Sequence, residues 1–266
     1  MSELVVLKLG GSVVTIKNGI MQSRKGAINR LAKAIAQARL EQPGLSLILV
    51  NGAGCFGHAV VKKHEIKDGV RTLEQKIAFA DTHWCVNQLN QIIVRALLDA
   101  GVPAIGLPPS SLLNQENKRI ANFDLTKVRQ FIEFGMVPVF YGDFVLDSVQ
   151  GGSVVSGDQI VPYLARELKA TRMVFASDVD GVCDSDPKTN PNAVCVRLVC
   201  EKNKYEVLAK LEGAKTTDVT GGMKGKINEL LEEAKITPIF IVNGNRAKRV
   251  QKALLGKKVK GTLVKI

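Results

Sequence analysis

Apolar residues in this chain fall into short runs that alternate with longer stretches in which they recur at helical spacing. The runs LVVLKL, LSLILV, PAIGL, VPVFYG, RMVFAS and TPIFIV read as strands. Between them, Lys25 to Leu40, Thr72 to Leu98, Leu125 to Phe134, Ile160 to Leu168 and Gly225 to Ala234 keep the helical period. Strands that alternate with helices predict an α/β fold with a largely parallel sheet. In such sheets ligands collect at the carboxyl ends of strands, which is where the glycine clusters of this chain fall.

The segment DSVQGGSVVSG, from Asp147 to Gly157, has the glycines and serines of a connection between two halves. Two lobes are therefore expected, residues 1–150 and 151–266, within one unit. DSDPKTNPNA, with its Asp, Asn and Pro, reads as a surface loop.

Composition adds partners to the picture. With 45% hydrophobic and 23% charged residues the chain is an ordinary globular one, and its net charge of +12 favours anionic partners. Part of that charge sits in LLGKKVKGTLVKI, remote in sequence from the glycine clusters. Aromatics at 5% offer no clear stacking platform and no recognition motif is present, so nucleic acid is not the expected partner. Cysteines at 55, 85, 183, 195 and 200 are odd in number and form no CxxC pair. That argues against a disulfide framework and a zinc site, and for a reducing compartment. The start, MSELVVLKLGG, lacks the pattern of a signal peptide, and no apolar run reaches the about 18 residues of a membrane span. A cytoplasmic protein is the expectation.

Five clusters could carry chemistry. In LKLGGS, Gly10, Gly11 and Ser12 free amides to face an anion and Lys8 supplies charge, or the run is a tight turn beside a snorkelling lysine. Lys17 could cover the same site or be solvated. In NGAGCFGH, Gly52, Gly54 and Gly57 allow close main-chain approach, and a helix from about Phe56 would turn its amino end, with His58, to an anion. His64 and His83 lack such a setting, and the three histidines have no metal-ligand spacing. In SGDQ, Ser156 or Asp158 could cap a helix, or Asp158 could orient lysines. In SDVDGV, Asp178, Asp180 and Gly181 follow a strand and could face a nucleotide or close a turn. The fifth, DVTGGMKGK, looks like a phosphate loop, but Gly221 to Lys226 does not keep the Walker spacing, and no GxGxxG follows the first strand.

Taken in order, KLGGS, NGAGCFGH, SGDQ, SDVDGV and TDVTGGMKGK resemble the amino acid kinase superfamily, and the resemblance extends to GMVPVFYGDFVLD and ALLGKKVKGTLV. Within it the motifs are most similar to the branch that phosphorylates isopentenyl phosphate. The resemblance implies a three-layer αβα sandwich, with acceptor in the amino-terminal half, ATP in the carboxyl-terminal half, Mg²⁺ on the ATP phosphates and a homodimer. It implies that Lys8 contacts the transferred phosphoryl group, that Gly10, Gly11 and Ser12 donate amides, and that Lys17 holds phosphate oxygens. Asp158 would position Lys8 and Lys226, with Lys226 neutralising charge on ATP. Asp178, Asp180, Gly181, Gly221, Gly222 and Gly225 would line the nucleotide site. Gly52, Ala53, Gly54, Gly57, His58 and Gly157 would receive the acceptor, His58 binding its phosphate. Cys55 stands where the family has serine, and IVNGNRAKR lacks the family's PGN. Same-fold kinases of another small phosphate or phosphonate such as fosfomycin, and ATP-binding relatives without turnover, remain alternatives. For an acceptor's apolar tail, Ile77, Ala80 and Trp84 share one helix face and could line a pocket or pack in the core.

Overall fold

Strand β1 (Glu3–Leu9) alternates its side chains between two faces, and both are buried: Val5, Leu7 and Leu9 enter one core and Val6 the other. The computed structural model describes residues 3–17, 19–57, 66, 69–185, 187, 189–212 and 230–266. After β1 come a helical turn, Gly11–Val14, then α1 (Lys25–Glu41), β2 (Leu45–Asn51), a 3-10 turn at Gly54–Phe56 and α2 (Leu73–Asp99). The chain continues through β3 (Ala104–Gly106), a 3-10 turn at Pro109–Ser111, β4 (Leu113–Glu116), β5 (Arg119–Phe123), α3 (Thr126–Glu133), β6 (Val137–Tyr141), β7 (Asp143–Asp147) and β8 (Gly151–Val155). It ends with α4 (Gly157–Glu167), β9 (Arg172–Ser177), β10 (Leu198–Val199), α5 (Lys204–Glu212), β11 (Ile239–Asn243), α6 (Ala247–Leu254) and β12 (Gly261–Val264).

Eight strands form the central sheet in the order β10-β12-β11-β9-β1-β2-β6-β3, parallel except where β12 runs against β11. Helices α1, α2 and α6 cover the face of Leu7, while α3, α4 and α5 cover the face of Val6. This is the expected three-layer sandwich with a largely parallel sheet. Helix α2 begins where a capping box allows, since Thr72 accepts from the Gln75 amide and the Gln75 side chain accepts from the Thr72 amide.

Two expectations change. The segment from Asp147 to Gly157 is no loose connection: it turns β7 into β8, in a second sheet ordered β5-β4-β7-β8. Its glycine and serine composition hid a strand whose ladder partner is supplied by β7. The Asp147 carboxylate accepts from the amides of Asn117, Lys118, Val149 and Gln150 and from the Ser153 hydroxyl. Burial works to raise its pKa, and these donors prevail, holding it down to about 2. A depressed carboxylate stabilises the fold above the unfolded value near 4, and that contribution is lost as pH falls through about 2. Asp147→Ala is expected to cost about 1–3 kcal/mol at pH 7, read from denaturant midpoints, because buried donors lose their acceptor.

The second change concerns cysteine. Cys183 and Cys195 form a disulfide, against the expectation of none. They meet because the loop returns on itself: Asp184 donates to the Val194 carbonyl and Val196 to that of Val182. Cys55, Cys85 and Cys200 are free thiols.

Candidate active site

A row of glycines crosses the carboxyl edge of the parallel sheet. Gly142 donates to the last carbonyl of β2, Gly52 to that of β1, Gly10 to Ala176 of β9, and Gly244 to Ser177 at the end of β9. Each extends the ladder one step before the chain turns away. The loops after β1 and β2 then press together so closely that a Cβ on Gly11 would lie 2.7 Å from both the Cα and the amide of Gly54. A Cβ on Gly52 would lie 2.7 Å from the Gly11 amide. The result is a bare main-chain surface, suited to contact with an anion.

Lys8 stands at the edge of this surface. Strand alternation turns it to the α4 side, where its Nζ donates to Asp158 at 2.7 Å and lies 5.7 Å from the centre of the Phe175 ring. Both side chains are mostly buried, at 12% and 20% exposure. Gly157 makes room for the lysine stem, since a Cβ there would meet Lys8 Cε at 3.2 Å. Ser156 precedes α4 without a side-chain cap bond, so the capping alternative is not realised by Ser156, and the Asp158 carboxylate in the first turn of α4 accepts from Lys8.

The structure thus brings together Lys8, Gly10, Gly11, Ser12, Gly52, Ala53, Gly54, Gly57, Gly157 and Asp158. Lys17 lies exposed at the tip of the loop after the first helical turn. Asp178 follows β9 directly, in the adjoining turn. Asp180 is drawn to the other end of that turn, where Asn243, Arg249 and Lys260 bind its carboxylate at 2.8, 2.6 and 2.8 Å. Burial opposes its ionisation, but the bonds from Lys260, Asn243 and Arg249 outweigh it and keep the group well below the usual carboxylate range. Gly181, at φ +150°, packs against Thr262, which in turn accepts from the Val182 amide. His58, Gly221, Gly222, Gly225 and Lys226 lie outside the described residues.

Cys55 turns inward. Its Sγ accepts from the Gln22 amide at 3.4 Å and donates to the Gln22 carbonyl at 3.5 Å, so it ties two loops and is buried. Arg24, which no motif marked, reaches the carbonyls of Ser12 and Val13 and Asn245 Oδ1 at 3.2, 3.3 and 2.9 Å. It fastens the first glycine loop to the VNGNR stretch across 221 residues of chain. Ile77 and Trp84 are 61% and 55% exposed, so among the described residues that helix face packs in no core; Phe79 instead meets Phe144 edge to face at 4.9 Å.

A three-layer α/β fold with a glycine-built anion surface and a lysine oriented by an aspartate defines a phosphate-handling enzyme of the phosphotransferase kind. The chain belongs to the amino acid kinase family, whose family model matches residues 3–243. It is 37% identical to the isopentenyl phosphate kinase of Methanocaldococcus jannaschii over 97% of each chain. To that of Methanothermobacter thermautotrophicus it is 38% identical over 98% of each. A crystal structure of isopentenyl phosphate kinase superposes with a TM-score of 0.83 at 34% identity, covering 98% of this chain and all of the other.

Proposed function

We propose that this chain transfers the γ-phosphoryl group of ATP to the phosphate of isopentenyl phosphate, giving isopentenyl diphosphate and ADP. The observation that carries it is the Lys8–Asp158 pair set beside the glycine row, in a chain so similar over its whole length to isopentenyl phosphate kinases. A phosphate monoester has a second pKa of about 6, so the attacking oxygen is already anionic at neutral pH and no general base is required. The chemistry then rests on placement and charge. The amides of Gly10, Gly11 and Ser12 and the Lys8 ammonium stabilise the moving phosphoryl group, Lys226 the ATP phosphates, and Lys17 the oxygens on the loop side.

The acceptor lies on Gly52, Ala53, Gly54, Gly57 and Gly157, with His58 holding its phosphate in line. ATP lies on the second lobe, along the turn of Asp178, Asp180 and Gly181 and the loop of Gly221, Gly222 and Gly225. Because Asp180 is engaged by Asn243, Arg249 and Lys260, it shapes that turn and leaves nucleotide contacts to its main chain. Among the described residues no three acidic, histidine or cysteine groups are placed to hold a metal, so Mg²⁺ fits as part of the MgATP substrate, on the phosphates.

Residues 1–150 would carry most of the acceptor site and 151–266 most of the nucleotide site, with Gly157 reaching the acceptor from the second half and both halves sharing one sheet. A homodimer is supported by the exposed apolar strip Leu73, Ile77 and Trp84 on α2, and light scattering at twice 28.8 kDa checks it. No helix among the described residues is long and apolar enough to cross a membrane. Cytoplasmic work in isoprenoid synthesis, by an alternate mevalonate route, follows from the same substrates, and co-fractionation with cytoplasmic markers checks the location.

ADP release measured with MgATP and isopentenyl phosphate, dimethylallyl phosphate, fosfomycin, UMP or acetylglutamate tests the proposal. Preference for isopentenyl phosphate is expected, and turnover of another acceptor alone overturns it. His58→Ala is expected to lower kcat/KM for the acceptor about 10–100-fold with little change in ATP affinity, as for loss of one bond to a charged group. An unchanged value removes His58 from the site.

A further inference from the structure

One stripe of α2 runs along the acceptor side of the sheet edge. Phe79 packs on Phe144, His83 on Asp143, Val86 reaches Gly57, and Asn90 donates to Asn51 at 3.1 Å. Their spacing of four, three and four residues places them on a single face. The stripe therefore runs from an apolar contact, through a histidine, to a glycine of the acceptor cradle. That is the order of tail and charged head in a phosphorylated small molecule with an apolar tail.

The histidine is built in from several sides. Its Nδ1 donates to the Asp143 oxygens at 2.9 and 3.1 Å, with Ser110 Oγ at 3.3 Å. The Asp143 side chain has no exposed surface, and the amides of Ser110 and Phe144 also donate to it. Its neighbour Gly142 sits at the junction of the cradles, where a Cβ would lie 3.7 Å from the amides of both Ala53 and Gly157. His83 is 28% exposed, and Nε2 has no partner among the described residues.

The hydrogen bond to Asp143 raises the His83 pKa above the ordinary 6.5, burial works against it, and the Asp143 charge adds to the rise. The imidazolium and its contribution to stability are thus fully present below the unfolded value and are lost as pH rises through the folded one. Among the described residues, the titratable groups facing the ring from neighbouring elements are Asp143 of β7 and Tyr141 of β6, whose ring centre is 6.4 Å away. Burial and then Asp143 hold the Tyr141 hydroxyl far above its usual range, so it stays neutral. No charged group of α1 is among the partners of His83, and on its own helix Asp81 and Cys85 are its near neighbours, with Cys85 pushed up by burial and by Asp81.

We propose that His83 is a specificity-determining residue of the acceptor site, donating from Nε2 to the anionic head of a small phosphate with an apolar tail, and that Asp143 is its positioning residue. This rests on the acceptor assignment above.

The test follows acceptor and ATP kinetics from pH 5.5 to 9, with isopentenyl phosphate, for the native chain, His83→Gln and Asp143→Asn. The native acceptor KM is expected to rise as pH climbs through the raised pKa of His83, on the alkaline side of the ordinary 6.5. His83→Gln should raise the acceptor KM about tenfold at pH 7, leave the ATP KM unchanged and abolish that rise with pH. Asp143→Asn should move the rise to lower pH. On the native chain, the Nε2 resonance of His83 should shift when isopentenyl phosphate is added without ATP, which decides the matter should a variant not fold. A His83→Gln enzyme with native acceptor KM and pH profile, or an Nε2 resonance unmoved at saturating acceptor, overturns the proposal. Native turnover of a different panel acceptor alone overturns the acceptor assignment, and the same comparison with that acceptor then judges His83 separately. No turnover with any acceptor overturns both.

Discussion

Lys8→Met is expected to lower kcat about 10²–10³-fold while leaving both KM values within a few fold. The methionine keeps an unbranched apolar stem against Gly157 and Phe175, so the packing on the inner side of α4 survives. What is removed is a cation that Asp158 holds in one position, at 2.7 Å, in a setting where water is largely excluded. A preoriented charge acts most strongly where charge develops during transfer, and single donors of this kind contribute at that scale. A fall in kcat without a rise in KM is the signature of an interaction made in the transition state. Steady-state ADP release at saturating MgATP measures it, and kcat within twofold of the native enzyme would place Lys8 outside the reaction.

Gly11→Val should be as damaging through geometry alone. The new Cβ would fall 2.7 Å from the Gly54 Cα and amide, and these are main-chain atoms that cannot rotate aside. The loops after β1 and β2 must therefore part. Gly52, whose own Cβ position is 2.7 Å from the Gly11 amide, shows that the closeness is mutual. A displacement of about 1 Å between reacting groups costs about 10²-fold in rate. The expected result is a loss of at least that size in kcat/KM for acceptor and ATP alike, with about 1–3 kcal/mol lost from stability as in an overpacked core. Gly44→Ala is the control, because a Cβ there meets nothing within 4 Å. Equal activity in the two variants would mean that the cradle does not depend on the contact between its loops.

The paired effects also separate two contributions. Lys8 acts by charge within an intact frame, whereas Gly11 acts by keeping the frame closed. Arg24 belongs with the second, since it bonds the first glycine loop to Asn245 near the end of the sheet.

Much of this was legible in the sequence because both faces of the central sheet are buried. Such strands must be continuous apolar runs, and RMVFAS coincides residue for residue with β9. Lys25 to Leu40 and Thr72 to Leu98 match their helices to within a residue or so because one face of each is covered and the other is not. The glycine clusters were legible too, since a main chain that turns sharply at a strand end requires them. The small sheet was not: β4 and β5, LNQE and RIANF, are short and largely polar, and β8 looks like a linker until β7 lies beside it.

Sequence alone determined the alternation of strand and helix, the largely parallel sheet, the position of the glycine turns and the candidacy of Lys8 and Asp158, because local periodicity and turn chemistry act over a few residues, while the three layers were implied by the resemblance to the amino acid kinase superfamily. Tertiary structure alone decided which other groups meet. It paired Cys183 with Cys195, turned Asp180 to Arg249 and Lys260, and set His83 against a buried Asp143 sixty residues away, whereas the meeting of Lys8 and Asp158 across 150 positions was already implied by the resemblance. Those pairings depend on how strands are ordered in the sheet and how helices lie over it, and a buried charge finds its partner only when that long-range arrangement closes.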